Sequence, residues 1–225
     1  MSGQRKGGAL SHEPRSASPP LSSRNHWSKG VAHLRGADPR IRELIDARGS
    51  IRFRPTGRTY ETLVESILSQ QLNGKAASVI TARVQDVLSS ESFNPEALAK
   101  VSISRLRAAG VSTRKAQYMK DLAKKVVNGR IDLEALASLG DQEVQDRLDA
   151  LRGIGPWTAQ MVLIFSMGRP DVLPVDDFGI KSAVKEVYGL RAIPDADKIT
   201  ALAEPWRPYR TIASLYLWHH RDGSQ

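Results

Sequence analysis

Two short stretches carry side chains whose types and spacing could do chemistry. In LPVDDFGIK, Asp176 and Asp177 stand immediately before a helix-like run. An aspartate at a helix N-cap accepts hydrogen bonds from the first free backbone N–H groups. Capping therefore accounts for one of the two carboxylates and leaves the other over. A carboxylate fixed at a helix start and facing a cleft could stabilise a developing sugar cation and orient the attacking water. The second stretch is LRGIGPWTAQ, Leu151 to Gln160. Gly153 and Gly155 suit a tight turn and Pro156 suits a first helical position, so a helix, a hairpin and a second helix are expected. The free N–H groups opening that second helix, at the positive end of its dipole, form an anion site suited to a DNA phosphate, with Arg152 adding charge. A plain helix–helix corner is the alternative. Trp157 is a bulky residue placed where the helix start would face outward.

The elements that must position these residues read as helices. TYETLVESILSQQL sets Leu63, Val64, Ile67, Leu68 and Leu72 at helical spacing, with Thr59 available as a cap. KAASVITARVQDVL repeats the pattern, Asn94-Pro95 and Ser104 open short helices, and Ser112 caps TRKAQYMKDLAKKVV. Asp141 is placed to cap QEVQDRLDAL, and the runs WTAQMVLIF, FGIKSAVKEVYGL and KITALAEPWRPYRTIASLYLWHH supply the rest. Alternating strand patterns are nearly absent, so the expected fold is all-α, about ten short helices in a compact bundle.

Composition narrows the function classes. The chain has 225 residues and no cysteine, which excludes disulfides, cysteine-held zinc, iron–sulfur clusters and thiol nucleophiles together. No His, Asp or Glu grouping stands at metal-ligand spacing. Net charge is +9, and the first 35 residues hold six Lys or Arg against Glu13 alone. The body is only mildly basic, so a grip on nucleic acid there depends on local arrangement. Residues 1–28, rich in Ser, Gly, Pro and Arg, read as a disordered basic tail. No apolar run reaches membrane-spanning length and no secretory h-region opens the chain. An intracellular protein is expected, in the cytoplasm or nucleoid, or in the nucleus of a eukaryote.

Taken together, the two stretches resemble the helix–hairpin–helix (HhH-GPD) DNA glycosylases. Leu151, Gly153, Ile154, Gly155, Thr158 and Ala159 match the LxGIGxxTA hairpin, and Asp177 falls at the obligatory aspartate some twenty residues on. The resemblance runs from about Arg58 to Trp218 and includes ESILSQQL and RKAQYMKDLA. Members that also cut the backbone carry a lysine nucleophile two residues after the second hairpin glycine, where this chain has Trp157. Trp157, Trp218 and the lack of cysteines make the chain similar to the 3-methyladenine DNA glycosylase II (AlkA) branch, in a short form without its N-terminal β domain.

That resemblance implies two lobes, one of residues 29–70 plus 170–225 and one of residues 71–169 with the hairpin, and an active-site cleft between them. It implies catalysis by Asp177 and a base pocket of Trp157, Met161, Trp218 and Asp176. Gln71 or Leu72 would be the minor-groove wedge. Arg152, Gly153, Ile154, Gly155 and Thr158 would bind DNA phosphate. It implies no cofactor and no side-chain metal site, though hairpin carbonyls hold a monovalent cation in this family. The partner implied is double-stranded DNA with alkylated bases, bound by a monomer. The implied reaction is excision of 3-methyladenine- or 7-methylguanine-type bases without lyase activity. A non-catalytic DNA-binding member and a glycosylase for oxidised or deaminated bases are the alternatives.

Overall fold

A computed structural model describes residues 20, 21, 23–72 and 74–223, with residues 222 and 223 as backbone alone. The described residues form helices joined by turns and loops, with no strand among them. In chain order the helices are α1 (Arg24–Ala37), α2 (Pro39–Arg48), α3 (Thr59–Ser69), α4 (Gly74–Leu88), α5 (Pro95–Lys100) and α6 (Ile103–Ala108). Then come α7 (Thr113–Val127), α8 (Asp141–Asp149), α9 (Pro156–Met161), α10 (Phe178–Val187), α11 (Ala196–Leu202) and α12 (Arg210–Gly223). A π-helical turn, Val162–Ser166, continues α9, and 3₁₀ turns lie at Ala135–Ser138 and Glu204–Trp206.

Side-chain caps set most of the starts. Ser23, Asp38, Asn94, Ser102, Ser112, Asp177 and Asp195 each accept a backbone N–H of the helix they precede. Three expected starts shift by a residue or two. Thr59 and Asp141 are first helical residues, not caps, and Ser102 caps α6 where Ser104 was expected to open it.

Two apolar cores define the lobes. One gathers Leu63, Val64 and Ile67 of α3 with Leu106, Met119, Val144, Leu148, Ala159 and Ile164. The other gathers Leu34, Ile41, Ile180, Val184, Trp206, Ile212 and Leu217. The boundary therefore differs from the one expected at residue 70. Helix α3 belongs with the hairpin, because its fully buried face packs on α4, α7 and α9. The basic tail also ends earlier than residue 28. Leu21 is buried in the second core, Ser23 caps α1, and Trp27 stacks on Phe53 at 5.9 Å. Residues 1–19 of that tail lie outside the described residues.

The lobes are stitched where the π-helical turn leaves backbone carbonyls free. Thr56 and Gly57 donate their N–H groups to the carbonyls of Phe165 and Ser166, at 2.9 and 3.0 Å. Rings follow the same seam, Phe53 to Phe165 at 6.3 Å and Phe165 to Trp218 at 5.6 Å. Asp38 locks the second lobe. Its Oδ1 accepts from the N–H groups of Arg40 and Ile41, while Oδ2 accepts from Tyr188 Oη and Trp206 Nε1. Among the described residues no helix is long and apolar enough to cross a membrane.

Candidate active site

Asp177 is the point where the lobes meet. As N-cap of α10 it receives the Ile180 N–H on Oδ1 at 2.9 Å. Trp218 Nε1, from α12, donates to the same oxygen at 2.9 Å. Trp157 Nε1, from the first turn of α9, donates to Oδ2 at 2.9 Å. One carboxylate thus takes three N–H donors from three helices in two lobes. Hydrogen bonds to a charged acceptor are the strong kind, and three of them fix the carboxylate in position and orientation. The indole edges are used in this way, which leaves their faces for other contacts. Phe165 braces Trp218 at 5.6 Å.

Gly179 makes the arrangement fit. A Cβ there would stand 2.8 Å from Asp177 Oδ1 and 3.0 to 3.1 Å from Trp218 Cδ1 and Nε1. Sequence reasoning passed over this glycine; its only signal is a poor helix former in the first turn of α10. Phe178 was passed over as well. It directly follows Asp177, is 63% exposed, and carries the Arg221 guanidinium 5.0 Å from its ring centre. Its signal was an aromatic residue that no amphipathic pattern buries.

The other expected residues divide. Asp176 does not join Asp177; it is exposed and pairs with Lys181 Nζ at 3.0 Å. Once Asp177 has taken the cap, the preceding carboxylate is left facing solvent. Met161 is 6% exposed and packs in the core of the hairpin lobe.

In the hairpin, Gly153 has φ +83° and lies against the Tyr118 ring, where no Cβ would fit. Arg152 is exposed with its guanidinium 5.6 Å from the same ring. Gly155 takes the N-cap position of α9 without a side-chain cap, so the opening N–H groups lack an intrahelical partner. The side chains of Ile154 and Thr158 are buried, so any part these two residues take in holding phosphate falls to their backbone N–H groups. The Thr158 hydroxyl instead accepts from Gln70 Nε2 at 3.3 Å, and the same amide donates to the Gly153 carbonyl at 3.0 Å. Gln71 and Leu72 are both exposed at the end of α3, Gln71 in the left-handed region at φ +58°.

A cavity of about 320 Å³ also lies between the lobes, lined by residues including Asp141, Gln145, Gln160, Asp171, Thr200 and Arg210. None of Trp157, Asp177 and Trp218 lines it, so it is separate from the carboxylate cluster. Burial pushes the Asp141 carboxyl up from its ordinary value, against the pull of nearby Arg169. Among the described residues no group of His, Asp and Glu is arranged to hold a metal ion.

An all-α fold, a glycine hairpin between α8 and α9, and an aspartate at a helix cap on the lobe boundary define the class of helix–hairpin–helix base-excision proteins. Residues 64–208 match the model of the HhH-GPD superfamily base excision DNA repair proteins, and the chain belongs to that family. It is 34% identical over 198 residues to DNA-3-methyladenine glycosylase 1 of Schizosaccharomyces pombe, covering 85% of this chain and 86% of that one. The structure of a 3-methyladenine DNA glycosylase from that yeast, in complex with abasic DNA, superposes with a TM-score of 0.80 at 34% identity. That match covers 86% of this chain and 97% of the other. A DNA-3-methyladenine glycosidase from Bacillus halodurans gives a TM-score of 0.71 at 36% identity, over 90% and 91% of the two chains.

Proposed function

We propose that the protein is a monofunctional DNA glycosylase that hydrolyses the N-glycosidic bond of alkylated purines in base excision repair. The observation that carries this is the Asp177 carboxylate, held by two indole N–H groups and a helix N–H where the lobes meet. Relatives named as DNA-3-methyladenine glycosylases support the substrate class.

The target nucleotide leaves the base stack, which costs a few kcal/mol and least for damaged bases. Alkylation at N3 or N7 leaves a cationic purine that departs as a neutral base, taking the electrons of the C1′–N bond. The sugar then carries developing positive charge beside Asp177, which stabilises it through a preorganised field. Water adds to C1′ and its proton passes to solvent. The faces of Trp157 and Trp218 attract the cationic base by roughly 0.5–2 kcal/mol each. Met161 backs the pocket from the core of the hairpin lobe. Exposed N–H groups of the hairpin and Arg152 take the phosphate, and Gln71 or Leu72 fills the vacated stack.

No strand cleavage accompanies excision, because Trp157 occupies the place of the amine that would attack the sugar. The protein acts as a monomer on double-stranded DNA. The test is a panel of duplexes with 3-methyladenine, 7-methylguanine, ethenoadenine, uracil or 8-oxoguanine, scored with and without alkali. Alkali-dependent cleavage at the alkylated purines is expected. Tight binding without release from any duplex would make it a binding protein. Preference for uracil or 8-oxoguanine would move the substrate class, and cleavage without alkali would overturn the monofunctional assignment.

A further inference from the structure

The turn that follows α3 is held from two sides by residues that neither touch Asp177 nor contact solvent freely. On one side, Gln70 Nε2 reaches across to the hairpin, donating to the Gly153 carbonyl at 3.0 Å and to the Thr158 hydroxyl at 3.3 Å. On the other, Lys115 Nζ donates to the carbonyls of Leu68 and Gln70, each at 2.7 Å.

The placement of Lys115 is unfavourable on its own helix. It lies in the first turn of α7, which has no acidic residue, beside Arg114 and at the positive end of the helix dipole. Burial, and then Arg114, lower its pKa from the ordinary lysine value. Local propensity therefore gives no reason for a lysine here. Its compensation lies across the lobe, at the negative, C-terminal end of α3, whose last carbonyls lack intrahelical partners. Directly after these anchors, which both attach at residues 68 to 70, the backbone takes an unfavourable form, with Gln71 at φ +58°. A non-glycine residue persists there only when its surroundings fix it. The residues so presented, Gln71 and Leu72, are exposed, and Leu72 is a large apolar side chain 39% exposed.

We infer that Gln70 and Lys115 form a latch that makes the wedge turn and the phosphate-binding hairpin one rigid unit, so that gripping the backbone also sets the depth of insertion. Gln70 is a positioning residue: it acts through Gly153 and through the turn, not on the reacting atoms. This rests on the wedge and hairpin roles proposed above. A preorganised wedge avoids ordering the turn during insertion, so the latch lowers the barrier for extruding a paired base. It contributes nothing when the base is already unpaired.

The test uses the full chain with Gln70→Met, which keeps length and removes the donors, and with Lys115→Met as an independent break of the latch. Folding is checked by circular dichroism and thermal unfolding. Extrusion is read as the fluorescence rise of 2-aminopurine stacked beside the target in a duplex, which needs binding but no chemistry. Excision is read in parallel from one alkylated base in duplex and in single-stranded DNA. Both variants are expected to lose about tenfold in extrusion and duplex excision, ~1.4 kcal/mol, with single-stranded excision unchanged. Equal loss on both substrates, or no loss on the duplex, overturns the latch. If wild-type protein excises nothing, the enzymatic assignment fails, while the fluorescence signal still decides the latch. Should Gln70→Met fail to fold, Lys115→Met carries the same two-substrate comparison.

Discussion

A carboxylate has about four lone-pair positions. Asp177 Oδ1 accepts from Ile180 N–H and Trp218, Oδ2 accepts from Trp157, and the proposed reaction gives the remaining position on Oδ2 to the sugar or its water. The geometry therefore suits an electrostatic partner with a fixed aim, and it depends on the absence of a side chain at Gly179. In an ordinary helix, replacing glycine by alanine gains roughly 0.5–1 kcal/mol. Here the added carbon would press on Asp177 Oδ1 and Trp218 together. Gly179→Ala should leave DNA affinity within about twofold and slow single-turnover excision about 10- to 100-fold, ~1.4–2.7 kcal/mol. A faster or unchanged rate, or a loss confined to binding, would remove Gly179 from the positioning set.

At the scale of elements, α3 shows how burial and charge combine. Its apolar face is sealed in the hairpin lobe, whereas Glu65 on the same helix is exposed; partial desolvation, then Glu61, pushes its carboxyl up from the ordinary value with Arg58 opposing, an effect that solvent keeps small. A raised pKa means that the folded state binds the proton more tightly than the unfolded state. The group's stabilising contribution is then full below the ordinary glutamate value of 4.5 and is lost as pH rises through the raised one. Glu65→Gln should therefore melt slightly above wild type at neutral pH, the margin being small because Glu65 is exposed, and the gap should close in acid below the ordinary glutamate range. A gap that widens in acid would reverse the sign. The amphipathic pattern of α3 said that it was buried but not against which neighbour, so its lobe was misassigned. Helix α1 was illegible for another reason: it buries only Gly30 and Leu34 along fourteen residues, too few to mark a stripe. Helix α2 was passed over although Asp38-Pro39 and the spacing of Ile41, Leu44 and Ile45 marked it.

Across the whole molecule, the hairpin and Asp177 were legible because turn chemistry and helix capping are local and leave short signatures. The roles of Trp157 and Trp218 were only half legible. Their aromatic type suggested stacking, but their N–H bonds to one carboxylate join positions 20 and 41 residues away from it. Gln70 was invisible for the same reason, since its partner Gly153 lies 83 residues along the chain. Charge is a whole-molecule property too, and the described body is only mildly basic, so single contacts weigh heavily. Arg152→Ala should weaken binding to damaged and undamaged duplex alike and flatten the slope of log affinity against log salt by about 0.9. A selective loss on damaged DNA would place Arg152 at the base instead of the backbone.

In the proposed reaction Asp177 stabilises the sugar cation while other groups hold the DNA. Asp177→Asn keeps a cap acceptor and removes the charge, and separates these two roles when assayed for single-turnover excision of 7-methylguanine and for affinity to an abasic-site duplex. Excision should fall at least about 10²-fold, as for loss of a transition-state electrostatic contact, with abasic-site affinity within a few fold of wild type. Excision near the wild-type rate would contradict a catalytic role for Asp177.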